Sequence, residues 1–484
     1  MRKFTGLVIN EYIKIICKVS TKIMIATIIL VALGFNVLVY IASRSPTVHH
    51  HGWPLEERIR EARQFQFSGW EEVVARYEYF IEHGIDITVP HNSPSRWRVD
   101  AGYALFSMKS NLDRAEPANE AGERINEEYV TFTFGYTIHN STDEEALRIQ
   151  INNLDQAIRN NDWLAYYRAE LAHLETFLPP GDYRLWELQY KIEHEIAPGS
   201  WQNNVLNEIA SAKFELSRLN PYTTNPELLA EIAELEAIVL IGEYRLAHNL
   251  RSFTHSGMGG MTTMNDATFW EIFAGSTSTI ALLSVLIVIV AGSILSSEFS
   301  AGTVKFLLIN PVHRWKVFAA KYIAIVTLTL AMLALLFIFN ALFAGIFFGF
   351  RDITAPFLST SNGRIVTGSS FGFIASRYLL GVIGTVVIGT FAFAVSSLVK
   401  SSALAIGLGV FLYFSGWMAV QLLGALGVYQ AKFILFANTN ILSVINGATG
   451  FVNHTLTFAI INIAIYMFVF LLTAWDGFVR GDIK

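Results

Sequence analysis

Cys17 is the sole cysteine in 484 residues. Disulfides are therefore excluded, and any large extramembrane part must be held by an ordinary packed core. Charged side chains make up only 15% of the chain, against about 25% in ordinary soluble domains. The dipeptide Gly-Lys is absent, and with it the phosphate-binding loop GxxxxGK followed by Ser or Thr. The expectation is a chain that hydrolyses no ATP through that motif. No zincin helix of the form HExxH occurs. The metal-ligand candidates are His49-His50-His51 and Glu170-x-x-His173. The first reads as a solvated juncture. The second lacks the matching copy that a carboxylate-bridged bundle needs. No metal and no cofactor is expected in this chain.

What the chain has in abundance is apolar sequence, 52% of its residues. A membrane-crossing helix needs roughly 20 mainly apolar residues. Six runs meet that length, at about 23–42, 272–296, 317–348, 371–399, 401–427 and 455–475. None carries an internal acid, so the expected fold class is an all-α polytopic membrane protein with six transmembrane helices. The first run is longer than a signal-peptide core and has no convincing cleavage site after it, so it is expected to remain as an anchor.

The charges are divided. Residues 43–270 hold 34 acidic and 19 basic side chains, a balance of −15; the rest holds 6 acidic and 16 basic. Basic residues in short loops stay on the cytoplasmic side. Arg2, Lys3, Lys14, Lys18 and Lys22 precede the first run, the 298–321 stretch is basic, and Lys400, Arg480 and Lys484 mark later inner ends. Six spans then place both termini in the cytoplasm and residues 43–270 outside.

Residues 1–22 read as an amphipathic helix along the inner interface, with Phe4, Leu7, Val8, Tyr12, Ile15, Ile16 and Val19 on one face. Lys3, Asn10, Glu11, Lys14 and Lys18 fall mostly on another. The acidic block reads as helices: STDEEALRIQINNLDQAI opens with a Thr142–Glu145 capping box and stripes Leu147, Ile151, Leu154 and Ile158. NDWLAYYRAELAHLETF is its partner, and Asn225-Pro226 starts a later helix. YVTFTFGYTI alternates with period two, so a small β element is expected near 129–138. The 45–265 block is expected to fold by itself as a mainly helical domain. Residues 428–454 contain apolar pieces too short to cross and read as a re-entrant outer segment. Among the spans, Asn36, Asn340, Arg377, Gln421 and Asn462 are polar. Lipid tolerates such groups poorly, so they mark either helix–helix contacts or a translocation path, for which Asn340, Arg377, Gln421 and Asn462 are the candidates.

The connector EFSAGTVKFLLINPVHRWKVFAAKY, from Glu298 to Tyr322, has more structure than a connector needs. VKFLLI can make one or two helical turns, Asn310-Pro311 ends them, and HRWKVFAAKY restarts a helix. The result is a short helix held crosswise between two spans. This pattern of Glu298, Gly302-Thr303, KFLL, Pro311, Arg314 and Lys321 resembles the intracellular loop of ABC type-2 transporter permeases. The resemblance extends to the six spans, the amphipathic N-terminal helix and the outer re-entrant segment, covering 1–42 and 271–484. It implies a coupling helix that docks on a separate ATPase, shaped by Glu298, Gly302, Thr303, Lys305, Pro311 and Arg314. It also implies a second permease subunit, identical or related, no nucleic-acid partner, and a bacterial cell membrane. The large block after the first span departs from the simplest members and is similar to that of Gram-positive permeases with a helical insert. Its acidity would concentrate cations, so a peptide or antimicrobial amphiphile is the expected substrate. Two other readings stay open at this point: an ATPase-driven sensor or mechanical transmitter in which nothing crosses, and an ATP-independent channel or receptor.

Overall fold

The computed structural model describes residues 2–44, 55–66, 70–89, 93–113, 130–133, 136–139, 144–176, 178–251, 253–254, 268–300, 313–350, 352–361, 363–399, 401–445, 449, 451 and 453–480. The chain divides into two compact units. One comprises Met1–Tyr40, Thr268–Thr354 and Gly368–Lys484; the other comprises Ile41–Ala267 and Ala355–Thr367.

The first unit is all helix apart from its connectors. Helix α1 runs from Arg2 to Cys17, and α2, the first span, from Val19 to Arg44. Among the described residues, six helices are long and apolar enough to cross a membrane: Val19–Ser43, Phe269–Ser300, Arg314–Phe348, Ser370–Leu398, Ser402–Ala425 and Leu456–Arg480. The fold is an all-α polytopic membrane protein, and these helices are spans one to six below. Span two opens with a reciprocal cap at Thr268, whose hydroxyl accepts from Glu271 N at 3.3 Å while the Glu271 carboxylate accepts from Thr268 N at 2.8 Å. Span four is the most enclosed, with Tyr378, Phe393 and Ala392 buried against spans two and three.

Between spans five and six the backbone breaks into short pieces, Tyr429–Phe433, Leu435–Asn438 and Ile441–Ile445. Helix ends at membrane depth need partners for their carbonyls. Here they have them: Asn438 Nδ2 donates to Lys432 O (2.8 Å) and Ile434 O (2.9 Å), and Asn462 Nδ2 to Phe433 O (3.1 Å). Tyr466 OH donates to the same Phe433 carbonyl at 3.1 Å. His454 is buried against this segment, with Nε2 3.0 Å from Asn438 Oδ1. Because the Asn438 amide nitrogen is committed to two carbonyls, Oδ1 accepts and His454 Nε2 donates.

The second unit is built on helices α3 (Leu55–Phe65), α4 (Trp70–Glu82), α5 (Arg96–Asp113), α6 (Glu144–Asn160), α7 (Trp163–Leu174) and α8 (Tyr183–Glu193). Their inner faces meet in one core, where Phe80, Leu105, Met108, Leu154, Ile158 and Leu174 are fully buried. The stripe expected on α6 is there, Leu154 and Ile158 buried and Leu147 and Ile151 packed beside them; its capping residue Thr142 lies outside the described residues. Asp162 caps α7 by accepting from Leu164 N and Ala165 N. Helices α9 (Trp201–Arg218) and α10 (Pro226–Ala247) pair as a hairpin through Val205, Ile209 and Ile241.

The β element near 129–138 is a two-stranded hairpin, β1 (Val130–Thr133) with β2 (Tyr136–His139), antiparallel with Val130 opposite His139. A second sheet has no counterpart in the sequence reading. Strand β3 (Phe253–Thr254) pairs in parallel with β4 (Phe357–Ser361), which neighbours β5 (Arg364–Gly368). The acidic block therefore does not stand by itself: residues after span three complete it. The union is self-consistent, because six crossings put the segments after spans one and three on the same side of the membrane.

Candidate functional site

The base of the 298–322 stretch is a buried ion cluster. Lys321 Nζ, on span three and only 1% exposed, lies 3.0 Å from Glu298 Oε1 and 3.1 Å from Glu11 Oε2. Glu298 belongs to the short helix Ser296–Ser300 and Glu11 to α1. Glu11 is itself 5% exposed, and its other oxygen lies 3.4 Å from Lys14 Nζ. Two carboxylates and two ammonium groups make the cluster neutral, which is what permits its burial. Nearby, Tyr12 OH donates to Thr327 Oγ1 at 2.6 Å, so α1 is tied along span three by two polar contacts.

Glu11 is where sequence reasoning missed. Helical periodicity places it on a polar face of α1, yet the structure buries it and exposes Ile9, Ile13 and Ile16. The buried lysine on span three reverses the ordinary preference. The available signal was Lys321, a charge seven residues inside a long helix without an intrahelical acid to pair with.

Arg314 begins span three, and its guanidinium donates to Val479 O at 3.4 Å, bringing the chain's C-terminal turn to the same end. Phe318 and Phe299 both contact the Phe478 ring, at centroid distances of 6.3 Å. Trp315 remains 44% exposed beside Lys316. Of the residues expected to shape the connector, Glu298 and Arg314 are thus placed at its two ends. Gly302, Thr303, Lys305 and Pro311 lie outside the described residues.

The polar residues within the spans do not converge on one path. Asn340, fully buried, donates to Thr279 Oγ1 and Tyr378 OH at 3.2 Å each, and accepts from Asn36 Nδ2 at 3.4 Å. Tyr378 OH also lies 2.8 Å from Ser276 Oγ. These five side chains tie spans one to four together. Asn462 instead supports the segment between spans five and six. Arg377 is half-buried, its guanidinium 4.9 Å from the Phe373 ring centre. Gln421 is exposed on span five. Replacing Asn340 by Leu removes three contacts and leaves the Tyr378 and Thr279 hydroxyls with one partner each, Ser276 Oγ and Ser276 O. A loss of about 1–3 kcal/mol is expected, read as an earlier thermal unfolding of the detergent-solubilised chain.

The second unit carries a pair of perturbed groups. Glu170, half-buried on α7, has its carboxyl pushed up to about 8, first by loss of water and then by Glu187 and Asp100, against the pull of Lys191. His173, one helical turn on, is pushed down to about 4 by burial. Among the described residues no three metal-ligating side chains converge. The raised carboxyl has a consequence for stability. Between pH about 4.5 and 8 the folded chain holds a proton at Glu170 that the unfolded chain has lost, so its contribution is full below that window and fades as pH rises. Glu170→Gln is expected to raise the melting temperature at pH 9 and leave it unchanged at pH 4; equal shifts at both would show that the gain is not electrostatic.

These features define a multi-pass membrane protein in which the N-terminal helix α1, the end of span two and the start of span three are joined by buried charges. The chain belongs to the family described as protein of unknown function DUF2705, whose profile matches residues 239–484. It is 31% identical over 268 residues to the uncharacterized protein YhcI of Bacillus subtilis strain 168, across 54% of this chain and 82% of the relative. It is 30% identical over 220 residues to the uncharacterized membrane protein YdbK of the same organism, across 45% and 85%. No solved structure matches the chain.

Proposed function

We propose that the chain is the permease subunit of an ATP-driven exporter in a bacterial cell membrane, powered by a separate ATPase that docks on residues 298–316. In this reading both termini lie in the cytoplasm, two permease subunits enclose the path, and the substrate is a peptide or amphiphile moved outward. ATP is bound by the partner, and this chain performs no hydrolysis.

The observation that carries the reading is the Glu11–Lys321–Glu298 cluster. A connector whose flanking helix and following span are joined through buried charges cannot flex at its root. Force applied to the connector would pass into span three and, through Glu11, into α1 and span one. The resemblance of the 298–321 pattern to a coupling loop, and the absence of Gly-Lys from the chain, point the same way. The test is affinity purification of the tagged chain from its native membrane, with mass spectrometry of what accompanies it. A stoichiometric P-loop ATPase, lost on Arg314→Glu, is expected. No ATPase in several mild detergents would overturn the reading.

A further inference from the structure

The α9–α10 hairpin outgrows its own core. Beyond Ala212 on α9 and Ile238 on α10, no described residue is buried. The hairpin's apolar groups are left in solvent: Phe214 is 42% exposed, Leu229 46% and Tyr222, in the turn, 89%. Leu228, Ile232 and Leu235 recur at i, i+4 and i+7 and are half-buried along α9. A second strip, Leu229 and Ala233 with Ala230 beside them, is exposed. The helical wheel places Glu236 along one edge of that strip, beside Leu229, and Glu234 along the other, beyond Ala230, both exposed. Elsewhere on the hairpin, acids have cations: Glu243 pairs with Lys213 at 3.1 Å, Glu208 with Arg245 at 3.4 Å and Glu215 with Arg218 at 4.0 Å.

We propose that this face of α10 receives a cationic amphipathic peptide helix, its apolar stripe on Leu229 and Ala233 and its flanking lysines or arginines against Glu234 and Glu236. A strip of exposed apolar groups with acids on both edges is the complement of such a helix. Charge excludes the competing occupants. A second copy of the same face would set acid against acid, and an anionic membrane surface would be repelled in the same way. The proposal deepens the exporter reading by naming the chemistry of the cargo and where it is first held, and it rests on that reading only for what happens after binding. Binding itself needs no ATPase.

The test uses the full chain in phosphatidylcholine nanodiscs without ATP or ATPase. The probe is a fluorescein-labelled 18-residue helix of Leu and Lys, and the control is the same helix with Glu for Lys. Saturable binding of the Lys peptide alone is expected. Glu234→Lys/Glu236→Lys should weaken it about tenfold or more, whereas Glu56→Lys/Glu61→Lys, at exposed positions on α3, should leave it within about twofold. Equal weakening by both variants would mean a diffuse field and no docking face. Equal signal from empty discs would mean that the peptide reads only lipid, and no binding at all would end the proposal; each of these overturns it. None of them touches the exporter reading, which stands or falls on the accompanying ATPase.

Discussion

Lys321→Met is expected to destabilise the first unit by about 3–5 kcal/mol, the scale seen when one partner leaves a buried ion cluster. The substitution keeps the side chain's length and apolar stem and removes only the charge. Glu11 and Glu298 would then both lose the Lys321 ammonium, and Lys14, 3.4 Å from Glu11, is itself 45% exposed. Both carboxylates must then take up protons or escape to water, and escape pulls α1 from span three. Hydrogen exchange should show the amides of α1 losing protection before any span does. The triple variant Glu11→Gln/Glu298→Gln/Lys321→Met separates stability from transmission. With no buried charge left it should regain most of the lost stability, because uncharged groups avoid the desolvation cost. Under the proposed function it should still transmit poorly, since the connector's root is no longer pinned. Wild-type melting of the single variant would refute the structural role of the cluster.

The second large effect is at Gly384 in span four. A β-carbon built there falls on the carbonyl of Thr439, in the segment between spans five and six. The neighbouring atoms are backbone, so no rotamer change can relieve the collision. Gly384→Val should therefore either move the Thr439 strand of chain or open span four, at about 1–3 kcal/mol for overpacking alone. The first is cheaper if the segment can lift, but Asn438, His454 and Asn462 hold it by hydrogen bonds. A cysteine placed at Ile445, half exposed in the native chain, should become more reactive to a polar maleimide in the variant. Unchanged labelling together with unchanged melting would show that span four has slack at this contact. Small residues recur where membrane helices pack closely, and a β-carbon at Gly389 would meet the Ile287 side chain.

Much of the membrane architecture is legible in the sequence because its signal is local. A run of 20 apolar residues declares a span without reference to any other part of the chain, and the six expected runs lie on the six observed helices. The hairpin at β1–β2 also announced itself, by alternation over ten residues. The ion cluster did not, since Glu11 and Lys321 are 310 positions apart. Nothing in α1 alone distinguishes an acid meant for water from one meant for a lysine on another helix. Asn340 was ambiguous for the same reason: its partners, Asn36, Thr279 and Tyr378, come from three other spans. The strands β4 and β5 are a different kind of miss. FLSTSNGRIVTG carries Asn362-Gly363 between two short runs rich in β-branched residues, a local hairpin sign, and Gly363 has φ +68°.

That returning segment has a consequence for how the protein is made. A ribosome releases residues 41–267 long before residues 355–367, and two further spans must be synthesised and inserted in between. Until then β3 has a bare edge, a template for pairing with the wrong chain. The second unit is thus finished by a part delivered late, from across the membrane, and its completion reports that spans two and three have been threaded in the correct sense. A chain that inserts span three backwards would deliver β4 and β5 to the opposite side and leave the β3 edge unpaired.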